Sequence, residues 1–296
     1  MNLSLTTEYV WGPRNLEDLF KQDVSARNLD GYHLMEQIDS TFKLDSYELT
    51  CWMPEIAMEG IRRFLKERHG KISSIHAFAP LRDGFEVGNH PADCYNLSSC
   101  NEERRTFAVR GLQEVISLAE EIGARYVVVH AGFKERNKSR EENLHSLKKS
   151  VQEIYRHLYD TDSRIKIGIE NGPYPSNMFI TPEEIRAIND FYPNIGLWFD
   201  IGHAFVNKSS DVYEIAEHCQ NIIGLHLHNN DGKKDLHAPL QIGKMDLTKL
   251  FGFLRNRINR RLIHPVLEIY NYRSQSTDED VKKSIELYRE LIKPKK

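Results

Sequence analysis

Short runs of β-branched and aromatic residues recur along the chain, each closed by a polar turn and followed by a longer amphipathic stretch. The runs read as buried strands, and the stretches with apolar residues at a period of about 3.6 read as helices. Eight strands are predicted: Leu3–Thr7, Tyr47–Trp52, Ile72–Phe78, Arg125–His130, Ile165–Glu170, Gly196–Asp200, Ile222–His228 and Pro265–Tyr270. The seven intervals between them carry helical signals; Glu103–Ile122, for example, keeps the helical period and ends at Gly123. Thr181-Pro182-Glu183-Glu184 offers a cap, a proline at the first helical position and a capping-box glutamate. Thr277-Asp278-Glu279-Asp280 opens the last helix in a similar way. Strands alternating with helices predict a parallel sheet, and eight such units predict its closure. The expected fold class is α/β, a single (β/α)8 TIM barrel domain over 1–296. An open doubly wound sheet would need a glycine-rich turn after its first strand, and 6–13 holds only Gly12.

Composition narrows the class. With 296 residues, 40% hydrophobic and 28% charged, the chain can build a full core, which excludes intrinsic disorder and a small disulfide scaffold. The four cysteines form no CxxC pair and read as reduced thiols. A net charge of −3 carries no nucleic-acid or membrane signature. No apolar run approaches the roughly 18 residues of a membrane span. Met1–Glu8 lacks the basic and apolar regions of a signal peptide, so the expected location is cytoplasmic, with no membrane partner. The densest basic run, Arg255–Arg261, precedes the eighth strand and reads as a solvated helix end.

Polar residues inside apolar strands carry the chemistry. Six strands end in a side chain of metal-ligand type: His76, His130, Glu170, Asp200, His228 and Glu268. In a (β/α)8 barrel the C-terminal strand ends converge on the face where active sites sit. His203, Asp235 and His237 lie just beyond the sixth and seventh strands. Taken singly, such a histidine is ordinarily a hydrogen-bonded core residue and such an aspartate a helix cap. Nine on one rim are not explained that way together. Four neighbouring carboxylates raise one another's pKa values unless cations intervene. A mixed imidazole–carboxylate set suits a divalent metal, zinc or manganese foremost, with cobalt, iron or magnesium as alternatives, and does not suit calcium. His226 shares the inward parity of His228 but lies one layer deeper. His33, His69, His145, His157, His218 and His264 fall in helices or on the opposite face and read as structural; His90 falls in a long loop.

The segments Ile75-His76-Ala77, Val129-His130-Ala131-Gly132, Ile169-Glu170-Asn171-Gly172, Phe199-Asp200-Ile201-Gly202-His203-Ala204, His226-Leu227-His228-Asn229-Asn230-Asp231-Gly232 and Leu267-Glu268-Ile269 resemble the xylose isomerase-like barrel superfamily. That group includes sugar and sugar-phosphate isomerases and epimerases and the endonuclease IV repair enzymes. The resemblance implies that Glu170, Asp200, His228 and Glu268 hold one metal. It also implies that Glu170 and Glu268 act as acid and base at the carbon beside a carbonyl. Similarity to endonuclease IV places further zinc ligands at His76, His130, His203, Asp235 and His237. Two departures stand out. Ala77-Phe78-Ala79-Pro80-Leu81 lacks the tyrosine of the endonucleases' DNA-wedging loop, and Asn171-Gly172-Pro173 stands where xylose isomerase carries a catalytic lysine.

The expected function is a metal-dependent isomerase or epimerase of a sugar or sugar phosphate, working by proton transfer through an enediolate. Arg82, Lys134, Lys233 and Lys234 lie on rim loops where a substrate phosphate or acid group would sit, although rim cations are more often merely solvated. The alternative is an endonuclease IV-like zinc phosphodiesterase acting on abasic-site DNA. Nucleic acid is disfavoured as a partner, because the chain lacks the wedge and a strongly cationic surface. A non-catalytic barrel that binds metal or sugar would shed the acid–base pair, and both glutamates are present. The sequence allows a homo-oligomer.

Overall fold

The computed structural model describes residues 3–7, 9, 31–51, 53, 55–79, 95–189, 192–208, 211–270 and 274–294. Arg82, His90 and Cys94 lie outside them. Eight strands form a closed barrel in chain order: β1 (Ser4–Thr6), β2 (Ser46–Leu49), β3 (Ile72–His76), β4 (Tyr126–His130), β5 (Lys166–Glu170), β6 (Ile195–Asp200), β7 (Ile222–Leu227) and β8 (His264–Leu267). Neighbours pair in parallel, and β8 closes on β1 through Ser4↔Val266 and Leu5↔Leu267. The helices among the described residues are α1 (Gly31–Phe42), α2 (Met58–Arg68), α3 (Glu102–Ile122), α4 (Arg140–Asp160), α5 (Pro182–Asn189), α6 (Ile201–Asn207), α7 (Asp211–His218), α8 (Leu247–Asn259) and α9 (Asp278–Leu291).

All eight predicted strands form, and the predicted barrel is the observed one. β8 stops three residues before its predicted end, and β2 ends at Leu49, while Trp52, its predicted end, lies outside the described residues. Cys51, Ile269 and Tyr270 are buried beneath the rim, so burial rather than strand pairing accounts for their apolar character. Gly123 ends α3 with φ 74°, a left-handed cap that glycine adopts without strain. Thr277 and Asp280 form a full capping box on α9. The box expected at Thr181 is only half made. Thr181 Oγ1 accepts from Glu184 N at 3.3 Å, but the Glu184 carboxylate turns to the Ile180 N–H at 3.0 Å and to Arg140.

One large apolar cluster fills the space between strands and helices, and a small one lies inside the barrel: Val128, Trp198, Ile223 and Val266. Gly168 and Gly224 make room for the indole; a Cβ at Gly224 would lie 2.1 Å from Trp198 Cε3. Beneath this plug, Ser4 Oγ bonds Ser46 Oγ at 2.6 Å, Ser73 Oγ at 2.9 Å and His264 Nε2 at 3.0 Å. Above it open the C-terminal strand ends. The basic run before β8 is more than a solvated end. Arg257 donates to the carbonyls of Cys219 (2.9 Å) and Gln220 (2.5 Å), just past α7, and Arg255 donates to Leu291 O at 2.8 Å at the end of α9. These orphaned terminal carbonyls accept cationic donors well. No disulfide joins Cys51, Cys100 or Cys219. No helix among the described residues is long and apolar enough to cross a membrane.

Candidate metal centre

His76, His130, Glu170 and Asp200 are the last residues of β3, β4, β5 and β6, while His228 and Glu268 directly follow β7 and β8. A parallel barrel aims all these ends at one bowl. Eight of the nine predicted residues, together with His226, fall into three groups whose donor atoms lie within 4.8 Å of one another, two of them sharing Glu170 and His226. One group is His203, His228, Asp235 and His237; another is Glu170, Asp200, His226 and Glu268; the third is His76, Glu170 and His226. His130 joins the last through its Nε2, 3.0 Å from Glu170 Oε2. His228 therefore falls with the outer histidines rather than with Glu170 and Glu268. It still borders both groups, since its Nε2 lies 2.9 Å from Asp200 Oδ1.

Local hydrogen bonds fix these side chains. Asn171 stitches the ends of β5 and β6 together, donating to Asp200 O at 2.9 Å and accepting from Asp200 N at 2.8 Å. Its own carbonyl accepts from His203 Nδ1 at 2.9 Å, which leaves His203 Nε2 facing Asp235 Oδ2 at 3.5 Å. Asp200 also caps α6 by accepting from His203 N at 2.7 Å. His237 Nδ1 donates to Glu268 O at 3.2 Å, and its Nε2 meets Asp235 Oδ2 at 2.9 Å. His237 sits at φ 46°, a left-handed conformation costly for a non-glycine residue, and such strain clusters at functional sites. Its ring lies between those of His228 and Tyr270, at centroid distances of 4.0 Å and 3.8 Å, and the Tyr270 hydroxyl donates to Glu268 Oε1 at 2.8 Å.

The two glutamates differ electrostatically. Burial alone would push the Glu170 carboxyl up, but facing His226, His130 and His76 outweigh it and hold it well below the usual carboxylate range. Burial likewise pushes Glu268 up. His226 works against the rise, yet Glu170 and Asp200 add to it, and Glu268 ends well above its ordinary value. For Asp200, opposing His203 and His228 overcome burial and bring it to about 2. Burial pulls His203 down, but Asp200 and Asp235 raise it to about 10.

A divalent cation fits this set. His228 Nδ1 is buried with no hydrogen bond, and Glu268 Oε2 accepts none although His226 Nδ1 lies 3.2 Å away; an ion among these carboxylate oxygens and imidazole nitrogens would satisfy both. The rim cations contribute less. Lys134 Nζ donates to the Glu135 carbonyl at 3.5 Å, and Lys233 and Lys234 are exposed. Glu48, Asn171 and Tyr270 were not anticipated as part of the site. Glu48 carries the same signal as the others, a charge in an apolar strand, but within β2 rather than at its end. Nothing in the sequence marks Tyr270.

Comparison with known proteins agrees with this architecture. An uncharacterized protein of Methanocaldococcus jannaschii, MJ1614, is 29% identical over 157 residues, which cover 53% of this chain and 60% of that protein, so the chain spans less than two thirds of it. A probable endonuclease 4 of Mycoplasmoides gallisepticum is 25% identical over 234 residues, 73% of each chain. The crystal structure of a D-tagatose 3-epimerase-like protein superposes with a TM-score of 0.70 at 24% identity, covering 99% of this chain and 97% of that one. Residues 26–291 match the family's sequence model, and with the closed barrel and its rim of ligand-type residues this places the chain in the xylose isomerase-like TIM barrel family.

Proposed function

We propose that the protein is a divalent-metal-dependent isomerase or epimerase of a sugar or sugar phosphate, acting in the cytoplasm by proton transfer. The observation that carries this reading is the contrast between Glu170 and Glu268 within one donor group. Pairs of titratable groups pushed apart by their surroundings mark acid and base assignments. Glu170, held ionised by imidazoles, is suited to take a proton from the carbon beside a carbonyl. Glu268, pushed up by its burial and by the neighbouring Glu170 and Asp200, is suited to return one. A zinc or manganese ion held by Glu170, Asp200, His228 and Glu268 would supply a Lewis acid for the substrate's carbonyl oxygen. The likeness to a D-tagatose 3-epimerase-like protein supports the substrate class.

A panel of ketoses and their phosphates, incubated with zinc- or manganese-loaded protein in heavy water, tests the proposal. Proton transfer through the carboxylates incorporates deuterium at the altered carbon; full retention of the original hydrogen rejects it. Glu170→Gln and Glu268→Gln are each expected to lower turnover by about 10²–10⁴, with metal content measured alongside because both side chains sit among the ligands.

A second reading, a zinc phosphodiesterase of endonuclease IV type, is favoured by the outer cluster His203, His228, Asp235 and His237, by His130 beside Glu170, and by the endonuclease 4 relative. Cleavage of abasic-site DNA at low salt, with three zinc ions per chain and no ketose turnover, would establish it instead.

A further inference from the structure

We infer that Glu48 and His226 form a positioning couple that holds the Glu170 carboxylate from inside the barrel. The inference rests on the reading of the bowl as a metal centre. None of the nine rim residues comes from β1 or β2, yet β2 delivers Glu48 to the barrel interior with 0% exposure. Glu48 Oε1 lies 3.0 Å from His226 Nε2, and Ser74 Oγ donates to Glu48 Oε2 at 2.7 Å. The other face of the imidazole meets the site: His226 Nδ1 is 2.7 Å from Glu170 Oε1 and 3.2 Å from Glu268 Oε2. The ring is wedged between His76, stacked at 5.7 Å, and the edge-on Trp198 indole at 5.6 Å, so it has little freedom to turn.

Stability does not explain this chain of groups. A buried carboxylate–imidazole pair loses about as much in desolvation as it gains in attraction, and apolar residues of similar volume often serve equally well. The interior beside it is already apolar, with Val128, Trp198 and Val266. Geometry gives the couple a purpose. Glu170 Oε2 faces His76 at 3.1 Å and His130 at 3.0 Å, whereas Oε1 has its hydrogen bond from His226, with His203 Nδ1 farther off at 3.7 Å. Glu48 fixes the imidazole, the imidazole fixes Oε1, and the carboxylate plane is set before any ligand arrives. Outer partners of this kind typically change metal affinity by 10–100-fold.

The test reads zinc affinity rather than turnover, by competition with a chromophoric chelator on metal-stripped full-length protein, together with Tm. Glu48→Leu is expected to weaken zinc binding about 10–100-fold. Glu48→Gln keeps an acceptor for His226 and should stay within a few-fold of wild type, and Ser74→Ala, a milder lesion, should fall between. The double variant Glu48→Leu/His226→Leu is expected to match or exceed the wild-type Tm while still binding zinc weakly. Wild-type affinity in Glu48→Leu overturns the inference, as does a loss that merely follows a falling Tm through the series. Disappearance of one whole zinc ion in His226→Leu also overturns it, because the imidazole would then be a ligand. Wild-type protein that takes up no zinc overturns this inference and the metal-dependent reading together. The predicted losses without turnover of any sugar would overturn the substrate class alone.

Discussion

Gly202→Ala perturbs the centre without replacing a ligand. Gly202 lies in the first turn of α6, two residues after Asp200, and a Cβ there would stand 1.9 Å from His228 Cε1 and 2.4 Å from Nδ1. His228 cannot yield easily. It has 0% exposure, its ring stacks on His237 at 4.0 Å, and its Nε2 is held 2.9 Å from Asp200 Oδ1. Overpacking a well-filled site costs about 1–3 kcal/mol, and losing a hydrogen bond to a charged group costs roughly 1.5–3 kcal/mol. Against this, alanine gains about 0.5–1 kcal/mol over glycine in a helix. The net expectation is a loss of about 1.5–5.5 kcal/mol. At about 2.1 cal/mol/K per residue over 296 residues, that lowers Tm by about 2–9 °C. Zinc affinity should fall by at least about tenfold, because the displaced imidazole borders both donor groups. Gly252→Ala is the control: it is exposed within α8, a Cβ there meets nothing within 4 Å, and the same substitution should raise stability by about 0.5–1 kcal/mol. Thermal melts of both variants, stripped of metal, with chelator competition on each, decide the matter. If Gly202→Ala melts and binds zinc like wild type, the packing described around His228 is wrong.

Two further outcomes follow from charge. Because His203 is raised to about 10 without metal, it must shed a proton to serve as a ligand, so zinc affinity should climb with pH between 6 and 8 by roughly one log unit per proton released. Isothermal titration in buffers of different ionisation enthalpy counts those protons, and a pH-independent affinity would contradict the assignment. His264, at the opposite end of the barrel, is pushed by burial from its ordinary 6.5 to about 4. Above pH 6.5 it is neutral folded or unfolded. As pH falls from 6.5 to 4, the unfolded chain binds a proton that the folded one refuses, and stability drops by about 3 kcal/mol. His264→Gln should remove that part of the acid loss, and urea-denaturation curves that stay parallel for variant and wild type from pH 7 to 4 would refute it.

The barrel was legible because its strands are β-branched runs with strict turns, and because alternation leaves few topologies open. The bowl was legible for a related reason: a charge closing an apolar run, as in Tyr126-Val127-Val128-Val129-His130, has no place in a packed core unless the strand ends at a functional face. That rule looks at strand ends, and so it passes over Glu48, whose strand continues to Leu49. Tyr270 was invisible for another reason. A tyrosine after an apolar run is indistinguishable from core until the backbone brings its hydroxyl to Glu268. The grouping of ligands was beyond reach as well, since His226 and His228 share a parity and differ only in depth. Depth depends on the stagger of β7 against β6 and β8, where His226 pairs with Asp200 and Val266. That register places His226 level with the Asp200 carboxylate and lifts His228 toward Asp235. One imidazole thereby becomes a neighbour of both glutamates, and the other a link between the inner and outer donor groups.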